Sequence, residues 1–217
     1  MTKPLSRSTL SSDAYATVRA ILLDGERHAP GDKISVEALA QELGVSRSPL
    51  WAAISRLEAE GLVEVRPRQG VFMPAFRADE VRDIARAREA LEGMVARLAA
   101  AQADEAQIAV MADSIDRQAQ AIAAQDRAGY ASANQHFHEA LLAAAGSPTL
   151  SRLLHALYGQ MMAMCGRQPF SFDQLARNRG EHVAVLDAIR QRDGDRADAM
   201  ARQHVNSLVQ ALLAAGD

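Results

Sequence analysis

The 217-residue sequence holds a single cysteine, Cys165, and only 4% aromatic residues. One cysteine cannot close an intramolecular disulfide, which excludes a disulfide-stapled secreted scaffold and makes a reducing cytoplasm the expected location. Long hydrophobic runs are missing as well. Stretches free of Asp, Glu, Lys and Arg reach 14 residues, as in Leu153–Gly166, short of the roughly 20 that cross a bilayer. No membrane partner is expected, and the polar start MTKPLSRSTLSS carries no signal-peptide core. An excess of basic charge is also absent: 24 Lys and Arg face 27 Asp and Glu, a net charge of −3. That balance argues against a protein that coats nucleic acid, but it leaves room for a small DNA-reading surface.

What is present changes character along the chain. Five of the seven prolines lie within the first 74 residues, and so do the only segments that read as strands. From Asp79 onward the chain is alanine-rich. Its apolar residues fall three and four apart, as in Ile84, Ala87, Leu91, Met94/Val95 and Leu98, the pattern of amphipathic helix. Breakers at Gly129, Gly146-Ser147-Pro148, Pro169–Asp173 and Asp193-Gly194-Asp195 divide this region into six or seven helices of an antiparallel bundle. The expected fold is therefore mostly α, with domains at residues 1–75 and 76–217. Residues 1–76 carry 9 basic and 9 acidic side chains, so the acidic excess belongs to the helical region.

The front region has the proportions of a winged helix-turn-helix. A helix over Ser11–Leu23 is followed by a short helix Val36–Leu43 with Ser35 as its N-cap, a reversal at Gly44, and a second helix from Arg47 to about Glu60 with Ser46 as cap. Pro49 fits within the first turn of that helix. Leu62–Val65 and Val71–Met73 then alternate like the strands of a hairpin wing around Arg66–Gly70. Arg47 and Ser48 sit where a recognition helix meets base edges, and the wing tip carries Arg66, Arg68 and Gly70 for close approach to a minor groove. Scattered surface arginines interleaved with Glu58, Glu60 and Glu64 are the plainer alternative.

Histidines are few, and their placement in the helical region is informative. Asn134 and His138 stand four apart on one helix and share a face. His182 falls on a later helix, Arg179–Gln191, and His204 on the last, Arg196–Ala215, beside its apolar positions Met200, Val205 and Leu208. Three imidazoles and an amide oxygen from three helices can converge on a divalent metal in a bundle core. Packing or surface histidines are the alternative, as expected for His28, His136 and His155.

The run PGDKISVEALAQELGVSRSPLWAAISRLEAEGLVEVRPRQGVFM, residues 30–73, resembles the winged helix-turn-helix of the GntR family of bacterial transcription regulators. The resemblance implies that Arg47, Ser48, Arg68 and Gly70 contact DNA. Where relatives commonly carry an arginine two residues after the proline, this chain has Trp51, which cannot make a bidentate guanine contact. The segments Arg88-Glu89-Ala90-Leu91-Glu92, NQHFHEALLAAAGSPTL, EHVAVLDAI and AMARQHVNSL resemble the all-helical effector domain (FCD) of the FadR subfamily. There the resemblance implies a metal held by Asn134, His138, His182 and His204, with Asn134 in place of the usual Asp. The metal would be Zn, Ni or Mn.

With four neutral ligands the charge of a divalent ion is uncompensated. That favours a small carboxylate effector bound through the metal, with Arg88 as a second anchor or, equally, as a surface partner of Glu92. The expected function is a ligand-responsive regulator, a repressor, that binds a palindromic double-stranded DNA operator as a homodimer. A metal-free pocket, in which the histidines bond the effector directly, is one alternative. A three-histidine metal-dependent hydrolase is the other, but no HExxH arrangement occurs and Glu139 points about 100° around the helix from His138.

Overall fold

A computed structural model describes residues 7–23, 27–165 and 170–215. These fall into two compact units, one of residues 1–77 with 156–169 and one of residues 78–155 with 170–217. Among the described residues, no helix is long and apolar enough to cross a membrane.

The first unit is a winged helix-turn-helix. Helix α1 (Arg7–Leu23) buries Ala14, Val18 and Leu22, a spacing of four that puts them on one face. A two-residue strand β1 (Lys33–Ile34) leads into α2 (Val36–Leu43). The Ser35 hydroxyl caps α2 by accepting a hydrogen bond from the Ala38 amide at 3.2 Å. Gly44 ends α2 in the left-handed conformation, φ 63°, and its amide donates to the carbonyls of Ala40 and Gln41. Helix α3 (Arg47–Ala59) follows, with Leu50, Ala53, Ile54 and Leu57 buried. Ser46 occupies its N-cap position, but its side chain makes no capping bond, unlike Ser35.

Strands β2 (Glu64–Arg66) and β3 (Gly70–Phe72) form the wing. β1 adds antiparallel to β3, with Ile34 opposite Val71, giving the order β1-β3-β2. The sequence reading set the first wing strand two residues earlier and did not foresee β1, because two residues are too few to show alternation. The apolar core is built from Val18, Leu22, Ile34, Leu39, Leu50, Ile54, Leu57, Leu62, Val63, Val71 and Met73.

The second unit contains six helices among the described residues, within the expected six or seven. They are α4 (Ala78–Gln102), α5 (Glu105–Ala123), α6 (Arg127–Ala145), α7 (Pro148–Cys165), α8 (Phe172–Arg190) and α9 (Gly194–Ala215). The last part of α7, from Ala156, belongs to the first unit, where Ala163 joins the apolar core and Gln160 Nε2 donates to the Glu60 carbonyl at 2.8 Å. Helix α8 starts two turns before the expected Arg179. Ser171 and Gln174 form a reciprocal capping box there, which turns the anticipated loop into a helix start.

Helices α4 and α9 pack against each other, and small residues are buried on both, Ala85, Ala96, Ala99 and Ala100 on α4 and Ala197 and Ala201 on α9. At Gly93 a Cβ would stand 2.3 Å from Asp198 Oδ1, so a side chain there would have to displace the carboxylate that pairs with Arg97 and Arg202.

The reversal at Gly44 sets the angle at which α3 leaves α2, and a Cβ there is strained by its backbone conformation, with open space around it. Gly44→Ala should therefore lower the stability of the first unit by about 1–2 kcal/mol, and Gly44→Asn by less, as checked by urea denaturation followed by circular dichroism.

Candidate functional site

Five helices of the second unit deliver polar side chains to one buried place. α6 carries His138, α8 carries His182 and α9 carries His204; their exposures are 9%, 0% and 5%. One ligating nitrogen from each lies within 4.8 Å of the others. α4 contributes Arg88 and Glu92, and α5 contributes Gln118, all buried. The three histidines expected to converge do so. Asn134 is half-buried, one turn before His138 on the same helix.

The ring nitrogens have defined roles. His204 Nδ1 lies 2.9 Å from Glu181 Oε2, and a carboxylate only accepts, so this ring carries its proton on Nδ1. His182 Nδ1 donates to Gln118 Oε1 at 3.0 Å. The opposite nitrogens of the two rings, both Nε2, face each other 3.3 Å apart. Phe137 stacks on His182 with 4.3 Å between centroids and fixes the plane of that ring. Burial holds His138 and His182 well below the usual imidazole pKa, and the proximity of His204 adds to it. For His138 the guanidinium of Arg88 contributes in the same direction. These are neutral imidazoles, the form that ligates metals.

Arg88 does pair with Glu92, Nε to Oε1 at 2.7 Å, but both side chains are buried at 3% and 2% exposure. The pair is thus part of the interior beside His138, not of a solvated helix face.

Sequence reasoning missed three members of this cluster. Gln118 follows Ile108, Met111 and Ile115 in the register that α5 buries, so a polar residue in an apolar stripe was the available signal. Glu92 follows Val81, Ala85 and Arg88 on α4 in the same way. Glu181 had no local signal, since its partner lies 23 residues away on another helix. An open groove of about 330 Å³ between α5 and α6, lined by Arg117, Gln120, Asp126, Ser132 and His136, includes none of the three clustered histidines. Glu139, the carboxylate next to His138, is taken up by His155 at 3.1 Å.

In the first unit, the DNA-facing candidates are on the side of α3 opposite its core residues. Arg47, Ser48 and Trp51 are exposed, Trp51 at 42%, so the indole is not packed into the core. Arg47 bonds Glu37 at 2.7 Å with both groups in solvent. Arg68 stands at the wing tip with φ 63°, and Gly70 follows with φ 119°. Arg66 is more committed: it bonds both carboxylate oxygens of Glu64 and lies 4.3 Å over the Phe72 ring. At the far end of α3, Arg56 bonds Glu60 and stacks 3.7 Å over Tyr15, whose hydroxyl donates to Glu60 at 2.6 Å. That contact ties α1 to α3.

Comparison with known proteins agrees with both units. Residues 10–73 match the family described as bacterial regulatory proteins, gntR family, and residues 83–207 match the FCD domain. The HTH-type transcriptional regulator BphR of Paraburkholderia xenovorans is 29% identical over 208 residues, covering 93% of this chain and 84% of that protein. The HTH-type transcriptional repressor RspR of Escherichia coli is 26% identical over 188 residues, covering 85% and 81% respectively. Among solved structures, Escherichia coli McbR/YncC superposes over 100% of both chains with a TM-score of 0.86 at 20% identity, a likeness of fold. These relatives are transcriptional regulators and not enzymes, which removes the hydrolase alternative. The chain belongs to the gntR family of bacterial regulatory proteins, as a DNA-binding transcription regulator whose winged helix-turn-helix is joined to an FCD domain.

Proposed function

We propose that this regulator is a repressor that binds a palindromic operator as a homodimer in the cytoplasm. It would sense a small carboxylate metabolite at a divalent metal centre in the FCD domain. The observation that carries the reading is the convergence of His138, His182 and His204, each from a different helix, with ligating nitrogens within 4.8 Å.

The residues fit a metal. The Nε2 atoms of His182 and His204 face each other at 3.3 Å, close enough for one ion to take both. Their outer nitrogens are held by Gln118 and Glu181, the type of support that orients histidine ligands. His138, His182 and His204 would hold the ion, with Asn134 as a fourth, amide-oxygen ligand. Imidazole donors suit Zn or Ni, and the amide oxygen extends the set toward Mn. A bound ion would supply a Lewis-acidic position for an effector carboxylate oxygen.

Arg88 supports the carboxylate reading, because a guanidinium buried beside His138 is a charged donor for an anion. Glu92 holds Arg88 in place. Gln118 Nε2 is buried without an acceptor among the described residues, a donor that an effector oxygen would satisfy. The repressor reading draws on RspR, described as a repressor. For DNA, Arg47, Ser48 and Trp51 on α3, with Arg66, Arg68 and Gly70 in the wing, form the reading surface. A homodimer would place two such surfaces on the two half-sites of an operator. Effector binding would lower operator affinity by favouring a state that grips DNA less well.

Three outcomes are expected. Protein purified without an affinity tag should contain about one divalent ion per chain by elemental analysis, lost in His182→Ala; a metal-free protein whose melting temperature still rises with small carboxylates overturns the metal reading. Arg88→Met combined with Glu92→Leu, which avoids stranding a buried carboxylate, should keep the metal but abolish the thermal shift produced by carboxylates. Arg47→Ala should weaken operator binding by about 1–3 kcal/mol in a fluorescence anisotropy titration.

A further inference from the structure

The cluster that would hold the metal offers no anionic ligand. Three of its ligands are imidazoles, Asn134 is an amide, and the nearby charges of Arg88 and Glu92 cancel in their 2.7 Å pair. A divalent cation placed among residues this deeply buried is costly without a neighbouring negative charge, since the interior screens poorly. Glu181 is the carboxylate in position to provide it. Its side chain is 18% exposed, and among the described residues its one ion-pair partner is the His204 ring. The bonded oxygen meets Nδ1, across the ring from the Nε2 atom that faces His182.

The corresponding support for His182 is different in kind. Gln118 accepts from that ring through a neutral amide oxygen. The two rings therefore donate the same hydrogen bond to acceptors of unlike charge. A carboxylate behind an imidazole makes the ring a stronger donor to a metal than an amide does.

We infer that Glu181 is the charge-balancing residue of the site, acting through His204, and that it sets the metal affinity that the neutral ligands alone would not supply. The inference rests on reading the histidine cluster as a metal centre. With one carboxylate behind the ligands, a divalent ion keeps one unit of positive charge, which matches the binding of a single effector carboxylate. Glu181 is thus a positioning residue whose charge, and not only its hydrogen bond, is used.

Glu181→Gln separates the two roles, because the glutamine oxygen can still accept from His204 Nδ1 while the charge is gone. Metal-stripped full-length protein is titrated with Co2+ against a chromophoric chelator, and the visible spectrum of the cobalt form is recorded. The wild type, Glu181→Gln, Glu181→Ala and Glu139→Gln are compared. The Glu181→Gln protein should bind Co2+ about 10- to 100-fold more weakly, with its cobalt bands at the wild-type positions and the melting temperature of its metal-free form unchanged. Glu139→Gln, on the neighbouring helix α6, should bind as the wild type does. Glu181→Gln affinity within twofold of wild type, with only Glu181→Ala impaired, would show that the hydrogen bond alone matters and would overturn the inference. Failure of the wild type itself to take up Co2+ would overturn the metal reading, a result distinct from equal binding by both.

Discussion

An interior of alanine, leucine and valine tolerates an imidazole only if its nitrogens are matched, because an unmatched buried polar atom costs roughly 1–3 kcal/mol. The second unit places three such rings together, and neighbouring helices supply partners for two of them. Gln118 must come from α5, Glu181 from α8 and His204 from α9 for the His182 and His204 rings to hold their orientation. Helix α4 meets α9 along a face of small buried residues, with Gly93 lying against the Asp198 carboxylate. The polar cluster and the small-residue packing are thus two aspects of one constraint.

The first unit solves a different problem. Its core is apolar throughout, and its chemistry lies on the surface, on the exposed side of α3 and the wing. The arginines there are not equivalent. Arg66 is held by Glu64 and Phe72 and Arg56 by Glu60 and Tyr15, so each carries a structural duty. Among the described residues Arg47 shares an exposed ion pair with Glu37, worth little in water. A phosphate or base edge can compete for Arg47 more easily than for Arg66. This gradation shows how a region with no net charge can still address DNA through a few side chains.

Much of this was legible in the sequence because it is local. Ser35, Gly44 and the spacing of Leu50, Ile54 and Leu57 announce the helix-turn-helix, and each is a short-range signal. The three histidines could be grouped because His204 borders an apolar stripe and His138 shares a face with Asn134. What escaped was tertiary. The burial of Glu92 depends on what covers α4, and the pairing of Glu181 with His204 depends on how α8 meets α9. The early start of α8 escaped for another reason: the Ser171–Gln174 box was present in the sequence but lay within a stretch read as a loop.

The winged helix-turn-helix is assembled from two separated stretches of chain. Ala163 is part of its apolar core, Gly159 lies against Leu62, and Gln160 bonds the Glu60 carbonyl just past the end of α3. A fragment ending at residue 77 would carry every side chain proposed to face DNA yet uncover Leu62 and release that carbonyl. In evolutionary terms the reader and the sensor are not freely exchangeable modules, because a graft of this winged helix onto another sensor must also supply a substitute for the last turns of α7.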